Sequence, residues 1–310
     1  MKHRLSTSVA LSAAAAAALG LVAVMVFRLP RHEAPTANPP STDHTDVDDP
    51  SPSNRSSTSA SAPPVTEAAG TSATAHGAAT TGAPEPAEVS PIESDDRYRW
   101  IWAQPEAIRM VWRDAAQRPY GQLQRARRAL EEQGNTVVAI TNGGGFSKDN
   151  EPLGLFVENG VEQVGINRAR GNGNFFLQPN GVFWVGDRRA AVETTEAFMA
   201  HYGGSDGPTV DWAVQSGPML VVDGAINPLF TETSTSVHIR NAVAVDPVGR
   251  VLLIRSHGPV TMWELAARCL ALGAVDVLYL DGTISRLDPV RQGRPLIPNI
   301  PVASMIAVVE

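Results

Sequence analysis

An acid, a glycine, two hydroxyls and a cation follow one short apolar run: residues 275–280 lead into Asp281, Gly282, Thr283, Ser285 and Arg286. A buried strand that ends this way holds a carboxylate rigidly. It lets backbone approach a ligand at the glycine and offers donors to an anionic or hydroxyl-rich substrate. The same residues also fit a plain Asp-Gly turn between strands. An aspartyl-phosphate route is excluded, because it needs a nucleophilic Asp two residues before Asp281, where the chain has Tyr279.

Two further strand ends share this character. Residues 136–141 run into Asn142, Gly143, Gly144 and Gly145. Consecutive glycines lose the most backbone entropy on folding, so an ordered loop here implies close approach of a ligand to main-chain amides; the alternative is a flexible hairpin loop. The loop lacks the Lys-Ser/Thr of a nucleotide P-loop and the spacing of a dinucleotide fingerprint. His238 and Arg240 alternate at the start of a strand expected to continue over 241–246, so both side chains can share a face. An Arg beside a His suits a phosphate, the Arg bidentately. Ser216 and Gly217, within Gln215-Ser216-Gly217-Pro218, interrupt the apolar stretch 213–222 as a bulge or edge would. The Gly-x-Ser-x-Gly elbow that would make Ser216 a nucleophile is absent. The polar segment 167–174 is a candidate rim loop.

The elements that must position these residues lie in the second part of a chain of 310 residues and net charge −7. Lys2, His3 and Arg4 precede an apolar run over 5–27, an export signal whose length favours an uncleaved membrane anchor at 1–29 over a cleaved peptide. Residues 30–96 are rich in Pro, Ser, Thr and Ala and bury too little to fold, which predicts a disordered tether. Residues 97–310 hold all six Trp and suffice for one globular domain. The single Cys269 precludes an intramolecular disulfide, and the acidic balance without a basic, aromatic cluster excludes nucleic acid.

Within that domain the patterns predict strands over 98–104 and 107–113 around Pro105-Glu106, and a helix over 119–133. A hairpin is expected at 153–158 and 161–166 about Asn159-Gly160, and a second at 175–178 and 182–185 about residues 179–181. A short helix over 192–201 follows. Thr261 and Glu264 form a capping box for a helix reaching about Leu272, and a terminal strand spans 302–309. The expected fold is α+β: a mixed, largely antiparallel sheet core with a few packed helices.

Taken in order, Asn142-Gly-Gly-Gly-Phe146, Pro152-Leu-Gly-Leu-Phe-Val-Glu-Asn-Gly160, Gly173-Asn-Phe-Phe-Leu-Gln-Pro-Asn-Gly181, Gln215-Ser-Gly-Pro-Met-Leu220, Ile239-Arg-Asn-Ala-Val-Ala-Val-Asp246 and Leu280-Asp-Gly-Thr-Ile-Ser285 resemble the motifs of the phosphodiester glycosidase family, in its exported bacterial branch. The resemblance implies an α+β domain that cleaves the bond between a sugar's anomeric carbon and a phosphodiester. On that basis Asp281 is expected as nucleophile or as base for water, and Arg240 with His238 and the amides of Gly143, Gly144 and Gly145 as phosphate holders. Asn142, Ser216 and Ser285 would position sugar hydroxyls, with Gly217, Gly282 and Thr283 lining the substrate. Thr283 stands where many members have Gly, and Asn241 where Thr commonly follows the Arg. The implied partner is a sugar phosphodiester or other anionic glycan of the cell envelope. No cofactor is required, although a divalent cation bridging Asp281 and phosphate oxygens would suit the same groups. The other reading of these residues is a non-catalytic envelope module that binds anionic glycan. A second catalytic carboxylate is open among Glu151, Asp211, Glu232 and Asp276.

Overall fold

The computed structural model describes residues 89–204, 207–289 and 301–310, so the expected anchor and nearly all of the expected tether lie outside the described residues. Among the described residues no helix is long and apolar enough to cross a membrane. The fold already includes Val89, which bridges to Ala103, and a short strand at Glu93–Ser94. The folded domain therefore begins before residue 97.

In chain order the elements are β1 Glu93–Ser94, β2 Tyr98–Ala103, β3 Ile108–Val111, α1 Leu123–Glu132, β4 Val137–Asn142, β5 Phe156–Glu158 and β6 Val161–Val164. There follow β7 Gly181–Gly186, β8 Arg189–Thr194, α2 Thr195–His201, β9 Trp212–Ser216, β10 Met219–Val222 and β11 Ala225–Ile226. The last are β12 Asn241–Val245, β13 Val251–Ser256, α3 Met262–Ala271, β14 Asp276–Asp281, β15 Asp288–Pro289 and β16 Met305–Val309. They build three antiparallel sheets, ordered β1-β2-β13-β12-β14-β10-β11, β15-β4-β16-β3 and β6-β5-β9-β7-β8. This is the α+β, largely antiparallel architecture expected from the sequence.

Alternation along the strands decides how the sheets pack. In β12, Val243 and Val245 face a core shared by all three sheets, with Ile101, Leu253 and Leu278 from the first, Met110 and Ile306 from the second, and Phe156 and Phe183 from the third. Ala242 and Ala244 face the other way, onto Leu265, Ala266 and Cys269 of α3. Helix α1 covers the second sheet through Leu123, Ala126 and Leu130. Helix α2 covers the third through Phe198. Each sheet thus has its own helix outside and the common core inside. The capping box forms as expected: Glu264 N donates to Thr261 Oγ1 at 3.0 Å, and Thr261 N donates to Glu264 Oε2 at 2.8 Å.

Several local expectations change. Strands β2 and β3 do not pair; the 3₁₀ turn Pro105–Ala107 passes the chain from the first sheet to the second. The second expected hairpin is displaced, because residues 174–176 form a 3₁₀ turn and β7 pairs instead with β8. The turn that makes this possible is Asp187-Arg188, both at positive φ, 50° and 60°. Asp-Arg is not a usual turn pair, and so it carries little sequence signal. The strand expected over 213–222 splits at Gly217-Pro218 into β9 and β10, which belong to different sheets.

One titration is expected to be visible in stability. Burial pushes the Glu158 carboxyl up to about 7 from 4.5, partly opposed by a hydrogen bond from the Trp112 main chain. A raised carboxyl favours the folded state fully below pH 4.5 and loses that contribution as pH rises through about 7. Urea unfolding should therefore show stability declining across that window, and Glu158→Gln should flatten the decline.

Candidate active site

Five strand ends, drawn from all three sheets, converge at one end of the shared core. Asn142 ends β4, Ser304 immediately precedes β16, Asn241 begins β12, Asp281 ends β14 and Ser216 ends β9. Main-chain Gly143 N donates to Ser304 O at 2.8 Å. Asn241 Nδ2 donates to Asn142 Oδ1 at 3.0 Å and to Thr141 Oγ1 at 2.9 Å, tying the first sheet to the second. Asn142 Oδ1 also accepts from Arg286 N at 2.8 Å, which anchors the chain leaving Asp281.

A β-bulge aims the carboxylate. Asn241 lies opposite Asp281 and Ala242 opposite Tyr279, so Leu280 is the extra residue that resets the register at the strand end. Asp281 Oδ1 accepts from Thr283 N at 2.6 Å and Ile284 N at 2.5 Å, while Ser285 Oγ donates to Asp281 O at 2.7 Å. Among the described residues Oδ2 receives no hydrogen bond. Burial raises the Asp281 carboxyl above its ordinary range, and the amides of Ile284 and Thr283 draw it part of the way back. One oxygen is thus pinned and the other is available.

The glycine loop is required for close packing, since none of Gly143, Gly144 and Gly145 has positive φ. A Cβ on Gly143 would collide with Ser304 Oγ. One on Gly144 would lie 2.6 Å from Gln215 O and 2.9 Å from Ser216 Cβ. Gln215 cannot yield, because its side chain accepts from Leu155 N at 3.1 Å and Asn167 N at 2.9 Å and donates to Asn167 O at 2.8 Å. Gly144→Ala should therefore push the loop off β9, at a cost of about 1–3 kcal/mol in urea unfolding and with loss of any activity the loop supports. Gly145 leads away from the site: its carbonyl accepts from Leu153 N at 3.0 Å. Gly217 lets Phe175 O approach to 2.5 Å of where a Cβ would stand.

Among the described residues three buried polar atoms around this loop have no hydrogen-bond partner: Ser216 Oγ, Asn241 Oδ1 and Ser304 Oγ. Their residues are 1%, 1% and 2% exposed. An unsatisfied buried group costs about 1–3 kcal/mol, so three such groups gathered around one loop make this the candidate site. Ser304 and Asn241 were not among the expected site residues. Both obey the same rule as Asn142 and Asp281, a polar residue at the end of an apolar strand.

Arg240 occupies a different position from the one its residue type suggests. It is fully buried, and its Nε donates to Val260 O at 2.8 Å, its Nη1 to Tyr279 Oη at 2.9 Å and its Nη2 to Ser236 O at 3.2 Å. A Cβ on Gly282 would strike the Tyr279 hydroxyl and lie 3.5 Å from Arg240 Nη1, so the Arg240–Tyr279 pair packs directly against the Asp281-Gly282 turn. His238 is half-buried and bridges to Val260 through its main chain; its imidazole makes no hydrogen bond among the described residues. Thr283 is exposed and contributes its amide, whereas the Ser285 hydroxyl is spent on the turn itself.

No second carboxylate of those considered comes to Asp281. Glu151 pairs with Arg113 at 3.0 Å, Asp211 and Glu232 are exposed, and Asp276 begins the strand that Asp281 ends, accepting from Asp223 N at 2.9 Å. Among the described residues no three or more His, Cys, Asp or Glu side chains group so as to hold a metal.

Comparison with known proteins gives a consistent relationship. The chain is 35% identical over 185 residues to the uncharacterized protein YigE of Escherichia coli (strain K12), covering 59% of this chain and 70% of that one. It is similar to the catalytic domain of zebrafish N-acetylglucosamine-1-phosphodiester alpha-N-acetylglucosaminidase, auto-inhibited by its pro-peptide, at 13% identity and a TM-score of 0.49, covering 73% and 82% of the two chains. A hypothetical protein from Synechocystis is similar at 14% identity and a TM-score of 0.42, over 72% and 61%. The phosphodiester glycosidase family model matches residues 135–309, more than half of the chain. Since that match runs from the strand that ends in Asn142 to the strand that follows Ser304, the chain belongs to the phosphodiester glycosidase family.

Proposed function

We propose that the protein hydrolyses the glycosidic bond of a sugar-1-phosphodiester, releasing free sugar and a phosphomonoester. The observation that carries this reading is Asp281, one oxygen pinned by two amides and the other available, beside three unpartnered buried polar atoms. In the reaction the bond between the anomeric carbon and the phosphate oxygen breaks, and its electron pair leaves with the phosphate. Asp281 either attacks the anomeric carbon, forming a glycosyl ester that water then hydrolyses to free sugar, or takes the proton of the attacking water. A phosphomonoester, with a second pKa of about 6, is stable once released, so no strong acid is needed opposite Asp281. This accords with a site to which none of Glu151, Asp211, Glu232 and Asp276 brings a second carboxylate.

Asn142, Ser216, Ser304 and Asn241 would bind the sugar's hydroxyl or acyl groups. The main chain of Gly143 and Gly144 allows the ring to come close, and Gly217, Gly282 and Thr283 line it. Arg240 acts by holding Tyr279 and the Asp281 turn, with His238 beside it. The composition of the apolar segment 1–29 and of the Pro-, Ser- and Thr-rich residues after it supports export and attachment to the cell envelope. The test is incubation of the full chain with a panel of sugar-1-phosphodiesters, scoring free sugar and phosphomonoester together. Equal release of both from one member is expected. Binding without release from every member would replace the hydrolase with a glycan-binding module.

A further inference from the structure

The strand register that places Asn241 opposite Asp281 continues outward across the first sheet. Asn241 of β12 lies opposite Arg255 of β13, and Arg255 lies opposite Arg99 of β2. Arg99, Arg255, Asn241 and Asp281 therefore form one row across four adjacent strands, with neighbouring strands about 4.8 Å apart. The neighbours of the two arginines at two-residue spacing, Ile101 and Leu253, face the shared core, so both side chains leave the sheet on its inward face, in the row that ends at Asp281. Both remain partly exposed.

Like charges directly opposite in a sheet are destabilising, and a third cation, Arg286, joins them from the segment after Asp281. Arg255 feels Arg99 and Arg286 as repulsive neighbours in addition to its burial, and Asp288 is the one carboxylate that offsets them. Asp288 in turn is acted on by all three arginines. Around Arg255 the balance is three guanidiniums against the one carboxylate of Asp288, with Asp281 two strands away at the far end of the row, and among the described residues none of the three arginines forms an ion pair. Their fixed bonds are to main chain: Arg255 Nε donates to Ser285 O at 3.0 Å, and Arg99 Nη1 reaches Leu287 O at 3.5 Å. These bonds hold the cations against the segment that leaves Asp281. The Arg286 side chain makes no bond among the described residues, and its main-chain N–H is the one that holds Asn142.

We infer that Arg99, Arg255 and Arg286 form an anion subsite that takes phosphate on the leaving half of the substrate. The identity of that half rests on the glycosidase reading. A row of planar donors matches phosphate oxygens, and a bound phosphate relieves the repulsion among the three arginines. The phosphate is either the scissile one or a further one along an anionic polymer, and the two have different consequences.

The experiment uses the full chain with inorganic phosphate as probe, followed by calorimetry. Arg99→Gln/Arg286→Gln removes two cations whose side chains make at most one long bond, so the fold is retained, and Arg255→Gln is the second variant. Each should weaken phosphate binding by about tenfold or more, whereas Asp281→Asn should not weaken it. Unchanged affinity in both arginine variants overturns the subsite. Kinetics then separate the sources of phosphate. A rise in KM for simple and for polyphosphorylated sugar-1-phosphodiesters alike assigns the scissile phosphate, and a rise for the latter alone assigns a further one. If cleavage depends on Asp281 while phosphate binding ignores the arginines, the subsite fails and the glycosidase reading stands. If no diester is cleaved while phosphate binding depends on the arginines, the glycosidase reading fails and the anion subsite stands.

Discussion

Asp281→Asn is expected to reduce sugar release roughly a thousandfold or more while leaving the protein folded. The amide oxygen of Asn can still accept from Thr283 N and Ile284 N, so the turn that ends β14 keeps its hydrogen bonds. What is lost is the negative charge that attacks carbon or accepts the proton of water. The electrostatics give a second readout. Because burial raises the Asp281 carboxyl, its contribution to stability is complete at low pH and is lost as pH rises through the raised value. The neutral Asn variant escapes that loss, so it should match or exceed the wild type in urea unfolding at neutral pH. The acid limb of kcat/KM in the wild type should lie above the ordinary carboxylate range. A variant that lost activity only because it unfolded would show the opposite stability change.

Arg240→Leu is expected to destabilise the domain by about 3 kcal/mol or more. The side chain is fully buried, and its removal takes away the guanidinium donors to Val260 O, Tyr279 Oη and Ser236 O, which the shorter apolar residue cannot replace. Arg240→Lys should recover little, because one ammonium cannot span three acceptors set in a fork. The urea midpoint measures this directly. If Arg240 instead served only to touch substrate, both variants would unfold like the wild type and show a raised KM.

The parts of the fold legible in the sequence are those where one local signal had no competitor. The Asn159-Gly160 hairpin forms with both turn residues at positive φ, 51° and 75°, and the Thr261–Glu264 capping box starts α3. The strand ending at Asp281 was legible because its apolar run stops at an acid. Sheet membership was not legible. Pro105 and Pro218 both mark places where the chain leaves one sheet for another, and a proline reports a break without saying where the chain goes next. The site divided in the same way. Asp281, Asn142 and Ser216 stood out as polar residues beside glycines, whereas Ser304 has no glycine neighbour and gains its place from pairing with β4. Arg240 looked like a ligand because an Arg beside a His suits phosphate, but its neighbours across the sheet, Tyr279 and Val260, are remote in sequence. Arg255 is the converse case. Its place in the strand 251–256 carried no sequence signal, and only register shows that it lies opposite Arg99 on the inner side.

The most direct test of the proposed chemistry is hydrolysis of a sugar-1-phosphodiester in heavy-oxygen water, followed by phosphorus NMR and mass measurement of both products. Cleavage at the anomeric carbon places the heavy oxygen in the sugar and none in the phosphomonoester, which is the result expected of Asp281 acting at carbon. Label in the phosphate would mean attack at phosphorus, making the protein a phosphodiesterase and contradicting the role given to Asp281.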